Sequence, residues 1–347
     1  MTLVPEQMHT RPLLLIFALT LGACGEPRGD MPMSEISGQT MGTSFSIKLD
    51  SPGGESGEDF IERHVIDVLS RVNQRMSTWL PESELSVFNA NPATDWIATS
   101  TEFCDVISAA LAVSERTGGA FDITVGPLVN LWGFGPVDTD HAELPSYESI
   151  ALAAERVGYR QLQTDCEKPA IRKKRADVYV DLSAYAKGYA VDQLADFLDT
   201  QGVDNYLVEV GGELRMRGKN ASGENWAIAV EKPADFERSV QAIVRLTDMA
   251  MATSGDYRNF YVLDGRRYSH TIDSRTGRPV THNAAAVTVI SDTAAMADAL
   301  ATALLVMGPD QGFRFAEQER IAAYFLLRKE SGIDGKATTV FTDLSER

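Results

Sequence analysis

One apolar helix near the end of the chain constrains the fold more than any other segment. From Thr293 the sequence reads Ala-Ala-Met-Ala-Asp-Ala-Leu-Ala-Thr-Ala-Leu-Leu-Val-Met, and Gly308-Pro309 is a regular helix stop. Its interior polar residues, Asp298 and Thr302, are four positions apart and therefore lie on one face. A carboxylate in such a helix is costly unless it is paired with a charge or a metal ion.

The Asp298–Thr302 pair has two interpretations. Two oxygen ligands at this spacing suit a hard cation such as Mg²⁺, with further ligands from elsewhere in the chain. Alternatively, Thr302 bonds its own backbone and Asp298 bonds a neighbouring loop.

A second stretch, residues 181–192, combines a carboxylate, small residues and a lysine at an element boundary. Val178-Tyr179-Val180 is typical of a strand, and a helix is predicted to carry Lys187. Such boundaries are where rigid scaffolds present chemistry. The alternative is that Asp181 or Ser183 only caps the helix, while Lys187 is a solvated surface residue.

The net charge of the chain limits the classes of ligand that it can bind. The chain has 347 residues, of which 44% are apolar, as in globular proteins, and a formal net charge of −17. This charge argues against nucleic acid as a partner, because phosphate binding requires a basic surface. A site for a smaller phosphate ligand would therefore need local positive charge, backbone N–H groups or a metal ion.

The N-terminal residues are typical of a processing signal. Arg11 precedes an apolar run over 13–19 that is too short to span a bilayer. Leu21-Gly22-Ala23-Cys24 looks like a bacterial lipobox, in which Cys24 is lipidated and becomes the first mature residue. The alternative is an ordinary secretory signal with an incidental cysteine.

These features predict a lipoprotein signal peptide over 1–23, a tether over 24–34 and one catalytic domain over 35–347. The expected location is the periplasm, with the protein anchored through Cys24, most simply to the inner membrane. An exported protein can form disulfides, but the sequence does not show whether Cys104 and Cys166 meet. Cys104 lies in an apolar helical pattern and could equally be packed as a free thiol.

The remaining pattern predicts an α+β fold with mixed, largely antiparallel sheets and flanking helices, because strands and helices alternate irregularly and several strand pairs are hairpin-like. Period-two alternation and β-branched runs predict strands over 43–49, 205–210, 213–218, 226–230, 240–246, 249–257 and 285–290. Apolar residues at helical spacing predict helices over 59–75, 101–117 and 147–157.

Eight short motifs, in this order, resemble those of the ApbE family, the FAD:protein FMN transferases. The motifs are Gln39-Thr40-Met41-Gly42-Thr43, Met76-Ser77-Thr78-Trp79 with residues 83–89, Gly118-Gly119-Ala120-Phe121-Asp122-Ile123-Thr124, residues 181–192, Glu209-Val210-Gly211-Gly212-Glu213, residues 252–257, Ser269-His270-Thr271-Ile272-Asp273 and residues 297–302. The resemblance covers nearly all of residues 35–310. It implies an ApbE-like fold with the flavin site between sub-domains.

The resemblance also implies an activity. An enzyme of this family transfers the FMN moiety of FAD to a Thr or Ser hydroxyl through a phosphoester, releasing AMP in a Mg²⁺-dependent reaction. The implied acceptors are exported flavoproteins with a Ser/Thr-Gly-Ala-Thr type sequence, such as subunits of sodium-pumping and related redox complexes. The competing class is a periplasmic FAD-binding lipoprotein without transferase activity.

Site residues follow from the same resemblance. The positions that match the flavin-nucleotide lining are Met41, Ala120, Phe121, Asp122, Asp181, Lys187 and Ile272. Trp79 stands where the family often has Tyr, so a stacking role is kept while any phenol hydrogen bond is lost. The implied metal ligands are Asp298, Thr302 and the backbone carbonyl of Ala184.

A hydroxyl nucleophile benefits from a base with a pKa near neutrality, and His270 is the histidine that lies inside a motif. We therefore predict that His270 is the general base, with Asp273 as a second candidate. The alternative is that His270 has a structural hydrogen-bonding role.

Overall fold

An eight-stranded antiparallel sheet is the centre of the computed structural model, which describes residues 32–50, 57–136, 143–233, 239–257 and 259–346. The strands are β1 (Met33–Thr40), β2 (Thr43–Asp50), β3 (Trp96–Ala98), β4 (Leu162–Asp165), β5 (Ala170–Lys173), β6 (Tyr206–Val210), β7 (Glu213–Arg217), β8 (Trp226–Lys232), β9 (Ser239–Leu246), β10 (Met249–Gly255), β11 (Phe260–Leu263), β12 (Arg266–Ser269), β13 (Ile272–Asp273), β14 (Arg278–Pro279), β15 (Ala284–Ser291), β16 (Ala322–Lys329) and β17 (Gly332–Ala337). The helices are α1 (Glu58–Met76), α2 (Glu84–Ala90), α3 (Thr101–Arg116), α4 (Gly126–Leu131), α5 (Tyr147–Ala154), α6 (Ala186–Thr200), α7 (Ala294–Gln318) and α8 (Thr339–Ser345).

The strand order of the main sheet is β1-β2-β6-β7-β10-β15-β16-β17. β15 is buried at every position except its last, because both faces of the sheet are covered. One face packs against α7, which contacts β10 and β15. On the other face, Trp226 from the β8–β9 hairpin and Phe341 from α8 join a core with Met251 and Ile290.

The α+β class with largely antiparallel sheets is therefore confirmed. Helices α1, α3 and α5 and the seven strands predicted from periodicity are all present, with ends that shift by a few residues. The smaller sheets are the three-stranded β3-β5-β4 and the hairpins β8-β9, β11-β12 and β13-β14.

Helices α6 and α7 cross at close range. A Cβ atom at Gly188 of α6 would lie 2.3 Å from the carbonyl oxygen of Ala294, so only glycine permits this approach. The carboxylate of Asp192 accepts hydrogen bonds of 2.9 Å from the backbone N–H groups of both Ala294 and Ala295. A residue of α6 thus caps the N-terminus of α7, and Arg215 of β7 holds that carboxylate at 3.1 Å.

The strand predicted over 178–180 is wrong. These residues belong to no ladder, since the N–H of Val180 donates to Asn89 Oδ1 at 2.7 Å and its carbonyl accepts from Asn89 Nδ2 at 2.8 Å. The next N–H, that of Asp181, donates to the carbonyl of Ile123 at 2.7 Å. A side-chain amide and a loop carbonyl replace the neighbouring strand, which satisfies the backbone without a sheet.

The late apolar helix is confirmed, and its backbone leaves the helical conformation at Gly308, where φ is 78°. The chain then resumes a helix from Pro309 to Gln318, which the sequence analysis does not predict. Proline is well tolerated at the start of a helical segment because its missing N–H needs no partner there.

Cys104 and Cys166 form a disulfide that joins α3 to the turn after β4. The predicted signal peptide over 1–23 and most of the predicted tether lie outside the described residues, and β1 begins at Met33, inside the segment predicted as tether. Among the residues that are described, no helix is long and apolar enough to cross a membrane.

The α6–α7 crossing predicts that Gly188→Ala destabilises the protein. The new methyl group would overlap backbone rather than a movable side chain, and overpacking of this kind costs about 1–3 kcal/mol. That loss exceeds the gain of up to about 1 kcal/mol in helix propensity. Urea denaturation measures the free energy of unfolding. Gly57→Ala is the control, because a Cβ atom there meets no atom of the described residues within 4 Å. Equal stability of the two variants would contradict the packing argument.

Candidate functional site

A cavity of about 710 Å³ opens where α6, α7 and the ends of several sheet strands face the loops around residues 120 and 270. It collects residues from motifs that are far apart in the chain. The predicted site residues in its lining are Met41, Trp79, Ala120, Phe121, Asp122, Asp181, Ala184, Lys187, His270, Ile272, Asp298 and Thr302. Asp273 is the predicted residue that does not line it.

The charged end of the cavity is a partly exposed lysine that lies beside two buried carboxylates. Lys187 Nζ pairs with Glu213 Oε1 and lies 4.0 Å from Asp298 Oδ2. The side chains of Glu213 and Asp298 are each only 4% exposed. Burial raises the pKa of Glu213 to about 7, and it also raises the pKa of Asp298, while Lys187 opposes both shifts.

This arrangement suits a hard cation. Two buried carboxylates face one ammonium, and Glu213 Oε2 is buried without a hydrogen-bond partner among the described residues. Asp298 Oδ2 receives only a long hydrogen bond of 3.4 Å from the N–H of Gly188. Oxygen donors and unbalanced negative charge are what Mg²⁺ prefers.

Thr302 stands one helical turn after Asp298, and its hydroxyl lies 2.8 Å from the hydroxyl of Ser254 on β10. Ala184 lies in the turn that leads into α6 and reaches the same cavity. Within the described part of the chain, no three His, Cys, Asp or Glu side chains cluster as a metal site. A cation here would therefore need the hydroxyl and carbonyl oxygens as well as Asp298.

Met41 and Trp79 border the cavity from the β1 side. Met41 and Gly42 form the two-residue turn between β1 and β2, and both have positive φ, 49° and 72°. This is the geometry of a tight hairpin turn, in which a non-glycine residue such as Met41 is unusual. Trp79 is 65% exposed, so a large part of its ring is free to stack on a flat ligand.

The carboxylate of Asp122 is already used within the protein. It accepts hydrogen bonds from the N–H and hydroxyl of Thr124, at 2.8 and 2.6 Å, and from the N–H of Tyr159 at 3.0 Å. Burial raises its pKa, and these donors oppose the shift. Asp122 thus holds the 120–124 loop in place. Asp181 has a similar local role, since Oδ1 accepts the N–H of Ser183 at 2.8 Å.

One ring nitrogen of His270 forms no hydrogen bond with the described residues. Its Nδ1 lies 3.0 Å from the carbonyl oxygen of Asn259, which can only accept, so Nδ1 carries the proton and Nε2 has the free lone pair. Burial lowers the pKa of His270, an effect that the Asn259 hydrogen bond opposes and the charge of Lys187 reinforces. His270 is therefore neutral at neutral pH, as a general base must be.

Asp273 is separated from this group by its own ion pair. Its Oδ1 accepts from the backbone N–H and from Nε of Arg275, at 2.9 and 2.8 Å, and Oδ2 accepts from a guanidinium nitrogen at 3.0 Å. The structure therefore brings His270, Lys187 and Asp298 to one cavity and leaves Asp273 outside its lining.

Three charged residues at or beside the site were assigned no role by the sequence analysis. Glu213 follows Gly211-Gly212 in a motif. The need of Lys187 for an acidic partner could have identified it, because the two residues form an ion pair. Asp256 also lies in a motif, and it forms a bidentate ion pair with Arg328 of β16, with one contact of 2.8 Å. Arg328 belongs to no motif, so only the fold reveals it.

Comparison with known proteins leads to the same family as the sequence motifs. Residues 41–325 match the model of the ApbE family. The chain is 40% identical over 339 residues to the FAD:protein FMN transferase of Haemophilus influenzae, covering 96% of this chain and 97% of that protein. It is 41% identical over 323 residues to the FAD:protein FMN transferase of Vibrio cholerae, covering 93% and 95%.

Solved structures agree. The flavin transferase ApbE from Vibrio cholerae superposes with a TM-score of 0.83 at 40% identity, covering 90% of this chain and 100% of that one. The apo form of the Pseudomonas stutzeri flavinyl transferase ApbE has a TM-score of 0.83 at 37% identity, covering 91% and 98%.

Proposed function

This chain belongs to the ApbE family, and from that premise we propose that it is an FAD:protein FMN transferase. It transfers the FMN moiety of FAD to a Thr or Ser hydroxyl of an exported flavoprotein. The product is a phosphoester, and AMP is released. The curated relatives that carry this name match it over nearly their whole length, which supports the assignment.

The single observation that best supports the proposal is the composition of the cavity. An exposed Trp79 at its border suits a flavin ring, whereas Lys187, Asp298 and Thr302 provide a deep polar end. His270 lines the same space, and its hydrogen bond through Nδ1 leaves the lone pair on Nε2. A stacking surface, a charged end and a neutral base are the three elements that transfer of a flavin phosphate requires.

The reaction is a phosphoryl transfer. The acceptor oxygen forms a bond to the phosphorus of the FMN half, the pyrophosphate P–O bond breaks, and AMP leaves with the bridging oxygen. His270 Nε2 takes the proton of the acceptor hydroxyl, while Lys187 contributes positive charge beside the phosphates. Mg²⁺ held by Asp298, Thr302 and the carbonyl of Ala184 would neutralise phosphate charge. Asp273 is the weaker candidate for the base, because Arg275 already occupies its carboxylate.

The acceptors we propose carry a Ser/Thr-Gly-Ala-Thr type sequence, as in subunits of sodium-pumping and related redox complexes. The direct test incubates the protein with FAD, Mg²⁺ and such an acceptor. Equal amounts of released AMP and of acceptor heavier by one FMN moiety are expected. FAD binding without AMP release would instead favour a flavin-binding lipoprotein.

We predict that His270→Ala binds FAD with nearly unchanged affinity and loses transfer rate by roughly 10²–10⁴-fold, the usual contribution of a positioned base. FAD titration and single-turnover transfer on the same sample measure the two effects. His64→Ala is the control, since His64 lies on α1 and lines no part of the cavity. Loss of affinity in step with rate would show a structural role.

The same assignment predicts a pH dependence. Because burial lowers the pKa of His270 from its ordinary 6.5, the base stays neutral, and transfer stays fast, until the pH falls below 6.5. The low-pH fall in rate should be absent from the residual activity of His270→Ala.

The location remains a proposal, since Cys24 lies outside the described residues. We predict a membrane-bound mature protein with a lipidated Cys24, and Cys24→Ser should release it or block processing. Cell fractionation with N-terminal mass spectrometry is the measurement. A soluble native protein with an unmodified N-terminus elsewhere would contradict the anchor.

A further inference from the structure

A second cavity, of about 730 Å³, adjoins the first. One wall is the outer face of α1, where Ile66, Ser70 and Gln74 follow each other at helical spacing. The opposite wall is the end of β1 with its turn. The two cavities share Met41, Gly42, Thr78, Trp79, Ser183 and Lys187, so they meet at the turn and at the lysine. We call this second cavity the α1 groove.

The α1 groove is almost uncharged, although the chain has a net charge of −17. Among the described residues that line it, Lys187 is the one with an ionisable side chain, and it is paired with Glu213. The other polar residues of the described lining are neutral amides and hydroxyls: Gln39, Thr40, Ser70, Asn73, Gln74, Ser77, Thr78 and Ser183. Such groups match peptide N–H and C=O groups, and they offer nothing to neutralise an anion.

Large apolar side chains stand exposed along the same groove. Ile66 is 51% exposed, Leu80 is 43% exposed, and Trp79 stands beside Leu80 at the junction with the first cavity. Exposed apolar groups gathered around one concave surface mark a binding site rather than ordinary surface.

The backbone of β1 also contributes to the α1 groove. It is a terminal strand of the main sheet and, among the described residues, pairs only with β2. Its last residues, Gln39 and Thr40, line the groove. The outer edge of a terminal strand carries N–H and C=O groups that can pair with an added extended segment.

We propose that the α1 groove binds an extended, uncharged segment of the acceptor polypeptide and leads its hydroxyl to the junction at Lys187. The proposal rests on the proposed function and names the surface that recognises the acceptor. The bond changes are those given above: the acceptor oxygen joins the FMN phosphorus, AMP leaves, and the proton goes to His270. Half of an FAD molecule is the competing occupant, but the one cation among the described residues of the groove, Lys187, is already paired with Glu213.

The test places a charge in the groove without touching the FAD cavity. Ile66→Arg inserts a cation into the uncharged lining, and its exposure means that the fold should tolerate the change. Leu152→Arg is the matched control, because Leu152 is 65% exposed on α5 and lines neither cavity. The probe is a reporter protein with an uncharged tail that contains Ser-Gly-Ala-Thr, whose binding is followed by fluorescence anisotropy with FAD and a chelator.

Ile66→Arg should raise the Kd of the reporter roughly tenfold or more, whereas Leu152→Arg and the FAD affinity of both variants should stay unchanged. Equal reporter affinity of the two variants, or no reporter binding by the unmodified protein, would overturn the groove assignment. A changed FAD affinity of Ile66→Arg, in either direction, would also overturn it, since FAD would then occupy the groove. Reporter binding that depends on Ile66 but yields no transfer with Mg²⁺ would support the groove and refute the proposed function.

Discussion

The site depends on the close crossing of α6 and α7. Gly188 lets the backbone of Ala294 approach, and Asp192 fixes the start of α7 through two N–H groups. With both contacts made, the helices cannot slide, so Lys187, next to Gly188, faces Asp298, one turn into α7. Two helices that are separated in sequence by four strands of the main sheet thereby present one charged centre.

That centre has two buried acidic groups and one basic group. Lys187 balances one of two buried carboxylates, and the oxygen Oε2 of Glu213 is left without a hydrogen-bond partner among the described residues. A buried charge without a partner destabilises a protein by about 3–5 kcal/mol. A cation that binds at this centre would therefore stabilise the folded state. A cation that binds only the folded state stabilises it by about 2.7 kcal/mol at a hundred times its Kd. The local negative charge would thus favour a metal ion. That ion would in turn attract phosphate groups to an acidic protein.

The sequence predicted the features that depend on residues close together in the chain. The apolar pattern around Asp298 predicted a buried carboxylate, and the short motifs contain most, but not all, of the described residues that line the cavity. It failed where partners come from distant segments. Asn89 replaces a strand neighbour beside Val180, and Arg328 reaches Asp256 from β16, and neither contact has a periodic signature. The α1 groove was missed for the same reason, since it exists only between two elements.

The most direct test of the central claim is the Mg²⁺ dependence of thermal unfolding without FAD, in the unmodified protein and in Asp298→Asn. Mg²⁺ should raise the Tm of the unmodified protein and leave that of Asp298→Asn unchanged. In chelator, Asp298→Asn should be at least as stable as the unmodified protein, because it removes one of two buried like charges. A Tm that ignores Mg²⁺, or an equal rise in both proteins, would contradict the account.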